Sequence, residues 1–371
     1  MTETEPLRDP AAVRELAVRI ERRTTRPWTL MEVCGGQTHA IVRNGLDQLL
    51  PEGIVLRHGP GCPVCVTPAE SIDRAVAIAR RPGTIVCSYG DMLRVPGSAT
   101  DLLRTRSEGG DVRIVYSPLE VLGIARDHAD RQVVFLAIGF ETTAPAHALL
   151  VEQARALGLD NVSLLVAHVR VPPALAALAG SGIDAFLAAG HVCTVMGEDE
   201  YRPFVEQHRV PVVVTGFEPV DLMRGILAAI DQLEDGRAEV GNVYERVARP
   251  GGNPEARARI ERVFRTVDRE WRGIGRIPDS GWGLADAWRT FDAEDRFAHV
   301  LDTLEPVRED SRLECRAGDV LTGRIRPREC PSFGTVCTPA TPLGAPMVSG
   351  EGACAAWFRY RGAVPLPGVP I

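Results

Sequence analysis

Lysine is absent from this 371-residue sequence, and all 42 of its basic residues are arginine. The chain therefore has no lysine for a Schiff base, for general-base catalysis or for a phosphate-binding P-loop. It also has no apolar run long enough to span a bilayer, and the segment MTETEPLRDP lacks the apolar core of a signal peptide. We therefore expect a cytoplasmic protein.

The remaining composition is that of a soluble globular protein, with 45% apolar and 25% charged residues. The net charge is −7, and no basic stripe with interleaved aromatic residues is present. We therefore expect neither nucleic acid nor a membrane as a partner. Nine cysteines are many for a cytoplasmic chain, where metal binding or redox chemistry is expected before a disulfide framework.

The first cysteine motif is CGGQTH, in which Cys34 and His39 lie five residues apart after the apolar segment LMEV. Two glycines permit a tight turn with close backbone approach. The two side chains either face one metal, or His39 acts as a base to Cys34. The alternative is a turn at a strand end, with a buried cysteine and a histidine bonded to the backbone.

The second motif is GPGCPVC, in which Cys62 and Cys65 precede a predicted helix. The positive end of a helix dipole favours thiolate at such a position. The pair is expected either to form a redox disulfide or to chelate iron or zinc. As half of a structural zinc site it would need a second pair at similar spacing, and none follows nearby.

The third group lies in loops rich in proline and glycine and has the spacing C-x14-C-x6-C-x16-C. Four thiolates suit either a [4Fe–4S] cluster or a structural zinc ion, and the spacing leaves both open. The group consists of Cys315, Cys330, Cys337 and Cys354. The two remaining cysteines, Cys87 and Cys193, are interpreted as small buried hydrophobic residues.

Seven short runs rich in valine and isoleucine predict the strands of a doubly wound α/β fold. The runs are IVLRHG, TIVCSYG, VRIVYS, VVFLAIG, VSLLVAH, AFLAAGH and PVVVTG. A repeated pattern of strand, Gly-Phe-Glu and proline, in VVFLAIGFETTAP and VVVTGFEPVDL, favours two related sheets over one. A helix is predicted before them, with its apolar face formed by Val13, Leu16, Ala17 and Ile20. The later segment NPEARARIERVFRTVDREW is predicted to be helical and exposed.

Taken together, several segments resemble the HypD family of hydrogenase maturation proteins. They cover the chain from Met31 to Trp357 in this order: MEVCGGQTHAI, GPGCPVCVTP, CSYGDMLRVPGS, AIGFETTAP, TGFEPVDLM, ECRAGDVLTGRIRPREC, FGTVCTP and GAPMVSGEGAC. The resemblance implies two Rossmann-like domains, residues 28–130 and 131–225. It also implies a mostly helical and irregular iron–sulfur domain, residues 1–27 and 226–371.

The resemblance also implies a function. Proteins of this family are scaffolds for the Fe(CN)2CO centre of [NiFe] hydrogenases, working with a small HypC-type chaperone and a HypE-type cyanide carrier before transfer to the hydrogenase large subunit. Cys34 would bind the iron ion, while Cys62 and Cys65 would bind iron in some states or pass electrons as a dithiol. The four C-terminal cysteines would bind a [4Fe–4S] cluster. The protein would thus be a redox-active assembly scaffold rather than a conventional turnover enzyme.

Other polar residues have both a structural and a functional interpretation. Three of them cap a helix or form a polar lip of the iron or cyanide site: Glu141, Thr142 and Thr143. Asp91 and Arg94 form either a salt-bridged turn or a partner surface, and for Glu218 and Asp221 capping is favoured. Two rival functions are a free-standing thiol oxidoreductase resembling ferredoxin–thioredoxin reductase and a structural zinc adaptor.

Overall fold

Two parallel β-sheets lie at the centre of the structure, a computed structural model that describes residues 5–305 and 315–362. One sheet has five strands in the order β2-β1-β7-β8-β9, and the other has four in the order β4-β3-β5-β6. This confirms the prediction of an α/β fold with two parallel sheets. The strands are β1 (Trp28–Glu32), β2 (Ile54–His58), β3 (Thr84–Ser88), β4 (Val112–Ile114), β5 (Gln132–Gly139), β6 (Val162–His168), β7 (Ala185–Ala189), β8 (Val212–Thr215) and β9 (Val240–Asn242).

All seven predicted apolar runs form strands, β2 to β8. Every residue of β3, β6 and β7 is buried, because helices cover both faces of each sheet. The two Gly-Phe-Glu segments follow β5 and β8 and therefore belong to different sheets. Strands β1 and β9 complete the larger sheet.

In sequence, the four-stranded sheet is inserted between two strands of the five-stranded sheet. The two predicted domains instead follow one another along the chain. Strands β3 to β6 all belong to the four-stranded sheet, although they lie in sequence between β2 and β7 of the five-stranded one. The expected boundary at residues 130/131 falls between β4 and β5, inside one sheet, and β9 lies beyond the expected limit at residue 225. The division into sheets depends on which strands pair across long sequence separations. The local sequence pattern does not predict that pairing.

Helix α1 (Pro10–Arg23) begins as predicted, with the Asp9 carboxylate accepting a hydrogen bond from the amide of Ala11. Its apolar face packs against α11, giving one shared core. The other helices are α2 (Gly35–Asn44), α3 (Pro63–Val66), α4 (Ala69–Ala79), α5 (Leu102–Ser107), α6 (Glu120–Asp127), α7 (Ala144–Ala156), α8 (Val171–Leu178), α9 (Gly190–Met196), α10 (Arg202–His208), α11 (Pro219–Glu234), α12 (Pro254–Val263), α13 (Ala293–Arg296), α14 (Ala298–Leu301), α15 (Ala317–Leu321) and α16 (Ala353–Arg361). None of the helices in the described ranges is both long and apolar enough to cross a membrane.

A β-hairpin replaces half of the segment predicted to be helical and exposed. Helix α12 ends at Val263, and the next residues form β10 (Phe264–Trp271), which pairs in antiparallel register with β11 (Gly275–Leu284). The apolar residues of FRTVDREW have a spacing that fits a helix, so local periodicity favoured the wrong element. Pairing with β11 overrides it, and Phe264 and Trp282 pack on the four-stranded sheet.

Candidate functional site

The loops that follow β1 and β2 bring three cysteines together. The two strands are parallel neighbours, so their carboxyl ends meet at the same edge of the sheet. The amide of Gly35 donates a hydrogen bond of 2.8 Å to the carbonyl of Gly61. A Cβ on Gly61 would lie 2.1 Å from the backbone nitrogen of Cys34, so only glycine permits this approach. The loop carrying Cys34 therefore packs directly on the loop carrying Cys62 and Cys65.

Cys62 and Cys65 form a disulfide, one of the alternatives that the sequence left open. Their Cα atoms are 5.2 Å apart, and the amide of Cys65 donates to the Cys62 sulfur at 3.2 Å. Both residues are buried in the core. The disulfide spans α3, and this short helix contacts the 3-10 turn Ala345–Met347, which belongs to the C-terminal segment.

The thiol of Cys34 faces a histidine that the sequence did not single out. The sulfur lies 3.8 Å from Nδ1 of His191, which is near the start of α9 after β7. Burial raises the pKa of the Cys34 thiol to about 12 and lowers the pKa of His191 to about 4. The pair is therefore a neutral thiol beside a neutral imidazole.

Phe217, which follows β8, packs against His191 and the loop of Cys34. Its ring stacks on the imidazole of His191 with a centroid separation of 5.1 Å. A Cβ on Gly36 would lie 3.3 Å from that ring and 3.7 Å from the Cys34 sulfur, so the ring, the loop and the thiol meet at one point. The site is thus built from the carboxyl ends of β1, β7 and β8, where α/β sheets place ligands.

A buried hydrogen-bond network fixes the backbone of Cys34 and reaches the C-terminal segment. The carboxylate of Glu32, at the end of β1, accepts from the amide of Cys34 at 3.0 Å, from the Thr38 hydroxyl and from Nδ1 of His58 at 2.7 Å. The indole N–H of Trp357 donates to Nε2 of His58 at 2.7 Å. Since an indole nitrogen only donates, the proton of His58 lies on Nδ1. Burial raises the pKa of Glu32.

His39 makes a second connection to the same segment. Its Nδ1 lies 3.2 Å from the carbonyl oxygen of Gly350, and its Nε2 lies 3.0 Å from the hydroxyl of Tyr360 on α16. Both ring nitrogens therefore face the C-terminal segment and not Cys34. These contacts match one of the interpretations that the sequence left open, in which His39 is hydrogen-bonded to the backbone. A role of His39 as a base or metal ligand stays a prediction.

The four C-terminal cysteines surround one cavity, which is otherwise lined mainly by apolar side chains. Burial raises the pKa of Cys315, Cys337 and Cys354. A Cβ on Gly344 would lie 2.4 Å from the Cys315 sulfur, so the loop approaches that thiol closely. Within residues 5–305 and 315–362, no three His, Cys, Asp or Glu side chains converge closely enough to hold a single metal ion. The thiols are spread around the cavity wall.

Comparisons with known proteins identify a family and several similar sequences. The family described as "Hydrogenase formation hypA family" (HypD) matches residues 11–361. The chain belongs to the HypD family. It is 48% identical to the hydrogenase maturation factor HypD of Azotobacter vinelandii, covering 97% of both chains. It is 46% identical to that of Escherichia coli K12, covering 94% of this chain and 93% of the relative. With the Rhodobacter capsulatus factor the identity is 43%, over 96% and 97%.

Several other predicted residues of this HypD-family chain make structural contacts. The Glu218 carboxylate accepts two hydrogen bonds from Arg8, and the Asp221 carboxylate accepts two from Arg246. Arg94 donates to the carbonyl of Pro339 at 3.0 Å. Neither Glu218 nor Thr143 uses its side chain to cap the helix that follows it.

Glu141 lies in the interior between the sheets. Its Oε1 accepts from the amide of Val171 at 2.8 Å, at the start of α8. Cys87 and Cys193 are buried, as predicted, and Cys193 lies within electrostatic range of Glu141. The carboxyl group of Glu141 is therefore held inside the protein by one backbone hydrogen bond.

Sequence reasoning missed His191, Glu32, His58 and Trp357. His191 ends the predicted run AFLAAGH, so its position at a strand end was the available signal. The other three become neighbours only through strand pairing and the packing of α16, which no local pattern reports.

Proposed function

We propose that this HypD-family chain is a scaffold for assembling the Fe(CN)2CO centre of [NiFe] hydrogenases. The observation that carries the proposal is the buried thiol of Cys34, packed against the loop of the Cys62–Cys65 disulfide. The helix spanning that disulfide contacts the segment that lines the cysteine cavity. The Cys34 thiol, the Cys62–Cys65 disulfide and the cavity lined by four thiols are thus contiguous.

Cys34 is the residue proposed to hold the iron ion, which is cargo and not a resident cofactor. Thiolate is a soft ligand that suits iron, and binding requires the thiol to lose its proton. The neutral imidazole of His191 lies 3.8 Å from the sulfur, where it can hydrogen-bond the thiol. With one or a few protein ligands, the iron keeps open positions for cyanide and carbon monoxide. Reduced Cys62 and Cys65 would provide further sulfur ligands.

Four cysteines are proposed to hold a [4Fe–4S] cluster: Cys315, Cys330, Cys337 and Cys354. Their side chains fit the group because iron–sulfur clusters are held by cysteine thiolates, and these four surround one cavity with an otherwise mainly apolar wall. When bound, the cluster supplies electrons. Reducing the Cys62–Cys65 disulfide to two thiols takes two electrons and two protons. We propose that the four cysteines would hold the cluster where it could supply these two electrons to the Cys62–Cys65 disulfide.

The partners proposed for this scaffold are a small HypC-type chaperone, a HypE-type cyanide carrier and, indirectly, the hydrogenase large subunit. The relatives are named hydrogenase maturation factors, which supports a role among other maturation proteins. We propose the cytoplasm as its location, since most of the cysteines remain unpaired thiols. A membrane and nucleic acid are not proposed as partners.

The first experiment is to purify the chain without oxygen and to measure its visible absorption, iron, sulfide and zinc. A brown protein with about four irons and four sulfides per chain is expected. A colourless protein that carries zinc would instead support the structural adaptor and remove the proposed path for electrons.

The second experiment tests Cys34 as the iron-binding residue. The variant Cys34→Ser is compared with Cys87→Ser, a control at a buried free cysteine of the four-stranded sheet. Both proteins are purified with the small chaperone from cells that make the other maturation proteins. Cys34→Ser is expected to lose the infrared bands of bound cyanide and carbon monoxide, whereas Cys87→Ser keeps them. Equal bands in both variants would contradict the proposal.

The disulfide favours a second candidate, a free-standing thiol oxidoreductase. That function predicts turnover of a disulfide substrate in the absence of the chaperone. Against it, both Cys62 and Cys65 are buried, so a protein substrate has no direct access to either sulfur. Alkylation of the reduced pair offers a further test, because normal assembly of the cyanide-bearing iron after alkylation would exclude the pair from the electron path.

A further inference from the structure

Four buried polar atoms between the two sheets have no hydrogen-bond partner among the described residues. They are Oε2 of Glu141, the hydroxyl of Tyr201, Oε2 of Glu200 and Nε of Arg170. These groups lie in one region. Tyr201 is within electrostatic range of Glu141 and Glu200, and the Arg170 guanidinium lies 3.7 Å from Glu200. Arg170 and Glu200 face each other at the edge of the cluster, whereas Glu141 and Tyr201 are wholly buried. Because a buried polar atom without a hydrogen bond is destabilising, the unpartnered atoms of Glu141 and Tyr201 indicate an occupant.

The cluster borders the Cys34 site from the side of the four-stranded sheet. Glu141 follows β5, Arg170 follows β6, and Tyr201 ends the 3-10 turn Asp199–Tyr201 after α9. Helix α9 also carries His191, the neighbour of Cys34. Tyr201 and Cys34 are buried in the same core of the protein. The unpartnered atoms therefore lie where the carboxyl ends of both sheets converge, close to the proposed iron ligand.

Three of the four groups can donate a hydrogen bond. The guanidinium Nε of Arg170 is always a donor. Burial raises the pKa of Tyr201, so its hydroxyl keeps its proton. Burial also raises the pKa of Glu141 to about 7, so near neutral pH a large fraction of these carboxyl groups is protonated and can donate. The preferred occupant is therefore a small hydrogen-bond acceptor, preferably one that carries negative charge.

We propose that Tyr201, Glu141 and Arg170 form a binding site for the outward-facing nitrogen of a cyanide ligand on iron held by Cys34. This inference rests on the proposed function. The nitrogen of an iron-bound cyanide carries negative charge and a lone pair directed away from the metal. The oxygen of bound carbon monoxide is a much weaker acceptor, so the site discriminates between the two diatomic ligands. Arg170 and Glu200 form its outer, partly exposed end.

Infrared spectroscopy of the iron-loaded protein tests this site. A donor bound to the cyanide nitrogen withdraws electron density from the ligand and raises its stretching frequency. The protein is purified with the small chaperone, without oxygen, from cells that make the cyanide carrier. Tyr201→Phe, which removes only the hydroxyl, is compared with Tyr89→Phe. Tyr89 is a matched control because its hydroxyl lies 2.7 Å from His147 within the four-stranded domain.

The expected result is a cyanide band at lower wavenumber in Tyr201→Phe, with a smaller D2O shift than in the wild type. Tyr89→Phe should leave the cyanide bands in place. The inference would be overturned if the cyanide bands of Tyr201→Phe matched those of the wild type in position and in response to D2O. The buried polar groups would then bind only water. If the wild type itself has no diatomic bands, the proposed function fails, which is a separate outcome.

A second variant covers the case in which Tyr201→Phe keeps its fold but no longer loads iron. Glu141→Gln preserves a donor and the acceptor for the amide of Val171. The side-chain amide of the variant donates at every pH, whereas the carboxyl group of Glu141 donates only when it is protonated. The position of the cyanide band should therefore vary between pH 6 and 8 in the wild type and stay constant in the variant. A pH-dependent band identical to that of the wild type would overturn the assignment of Glu141.

Discussion

The sequence Gly-Phe-Glu follows two strands, β5 and β8, and the same three residues serve opposite purposes in the two sheets. After β5, Phe140 is buried beside Trp271 and Glu141 is wholly enclosed. After β8, Phe217 is only partly buried, and Glu218 forms an ion pair with Arg8 at the surface. The same three residues therefore meet different surroundings, and the surroundings set the chemistry of each glutamate.

The two carboxyl groups differ most in their pKa values. Burial raises the pKa of Glu141 to about 7, with the nearby carboxylate of Glu200 adding to the effect. Hydrogen bonds from the Arg8 guanidinium lower the pKa of Glu218. One carboxyl group is thus suited to hold or release a proton near neutral pH, and the other remains a fixed negative charge. Four substitutions test this contrast.

The largest expected effect is that of Phe140→Ala. The ring is buried in the main core with its centroid 6.0 Å from that of Trp271, so truncation leaves a cavity. We expect a loss of about 3–5 kcal/mol in the free energy of unfolding. Urea unfolding followed by circular dichroism measures it, and a loss under about 1 kcal/mol would mean that the core collapses around the gap.

The next effect is a gain in stability for Glu141→Gln at alkaline pH. Between the usual pKa of 4.5 and about 7, the folded wild type keeps a proton that the unfolded chain has released. Wild-type stability therefore falls as pH rises through this interval, and the variant escapes the fall. We expect the variant to be more stable by roughly 3 kcal/mol at pH 8, with little difference at pH 4.5. Urea midpoints at both pH values measure the difference, and an equal difference at the two values would contradict it.

Phe217→Ala should have a smaller effect on stability, about 1–2 kcal/mol, because the ring is only partly buried. It should also expose the Cys34 thiol, since the ring covers that side of the loop. The measurement is the rate at which iodoacetamide alkylates Cys34 in the iron-free protein, with Phe140→Ala as the control. Unchanged alkylation would place the barrier to Cys34 elsewhere.

Glu218→Gln should have the smallest effect, with the opposite pH dependence to Glu141→Gln. The pKa of Glu218 is lowered in the folded protein, so its contribution exists above its usual pKa and is lost as pH falls through the folded value. Because the Arg8 side chain is mostly exposed, we expect a loss of about 0.5 kcal/mol at pH 7. Thermal melting at pH 7 and pH 3 checks that the difference disappears in acid.

Much of the fold was predictable from local sequence. Long runs such as VVFLAIG and VSLLVAH have the continuous apolar character of buried parallel strands, and all seven such runs are strands. The pairing of β1 with β7 was not predictable, because no local property of either strand selects its partner. The hairpin of β10 and β11 was missed for a related reason, since the apolar spacing of FRTVDREW fits a helix and only the partner strand decides otherwise.

The candidate site divides in the same way. Cysteines in distinctive spacing identified Cys34 and the Cys62–Cys65 pair, but their proximity depends on β1 and β2 being neighbours. The groups around Cys34, such as His191 and Phe217, come from other strand ends. Their residue types are common, and only the pairing of the strands gives them a role.

The interleaved order of the strands has a consequence for the newly made chain. Thr29, on β1, bonds to Asp184, which is 155 residues further along, and the whole four-stranded sheet is synthesised in between. At about 5–20 residues per second, the loop of Cys34 emerges from the ribosome roughly 10–30 s before β7 and His191. Trp357, which completes the network behind it, follows later still. The pocket around Cys34 is therefore among the last parts of the protein to be completed, so an unfinished chain lacks some of the groups of the proposed iron site.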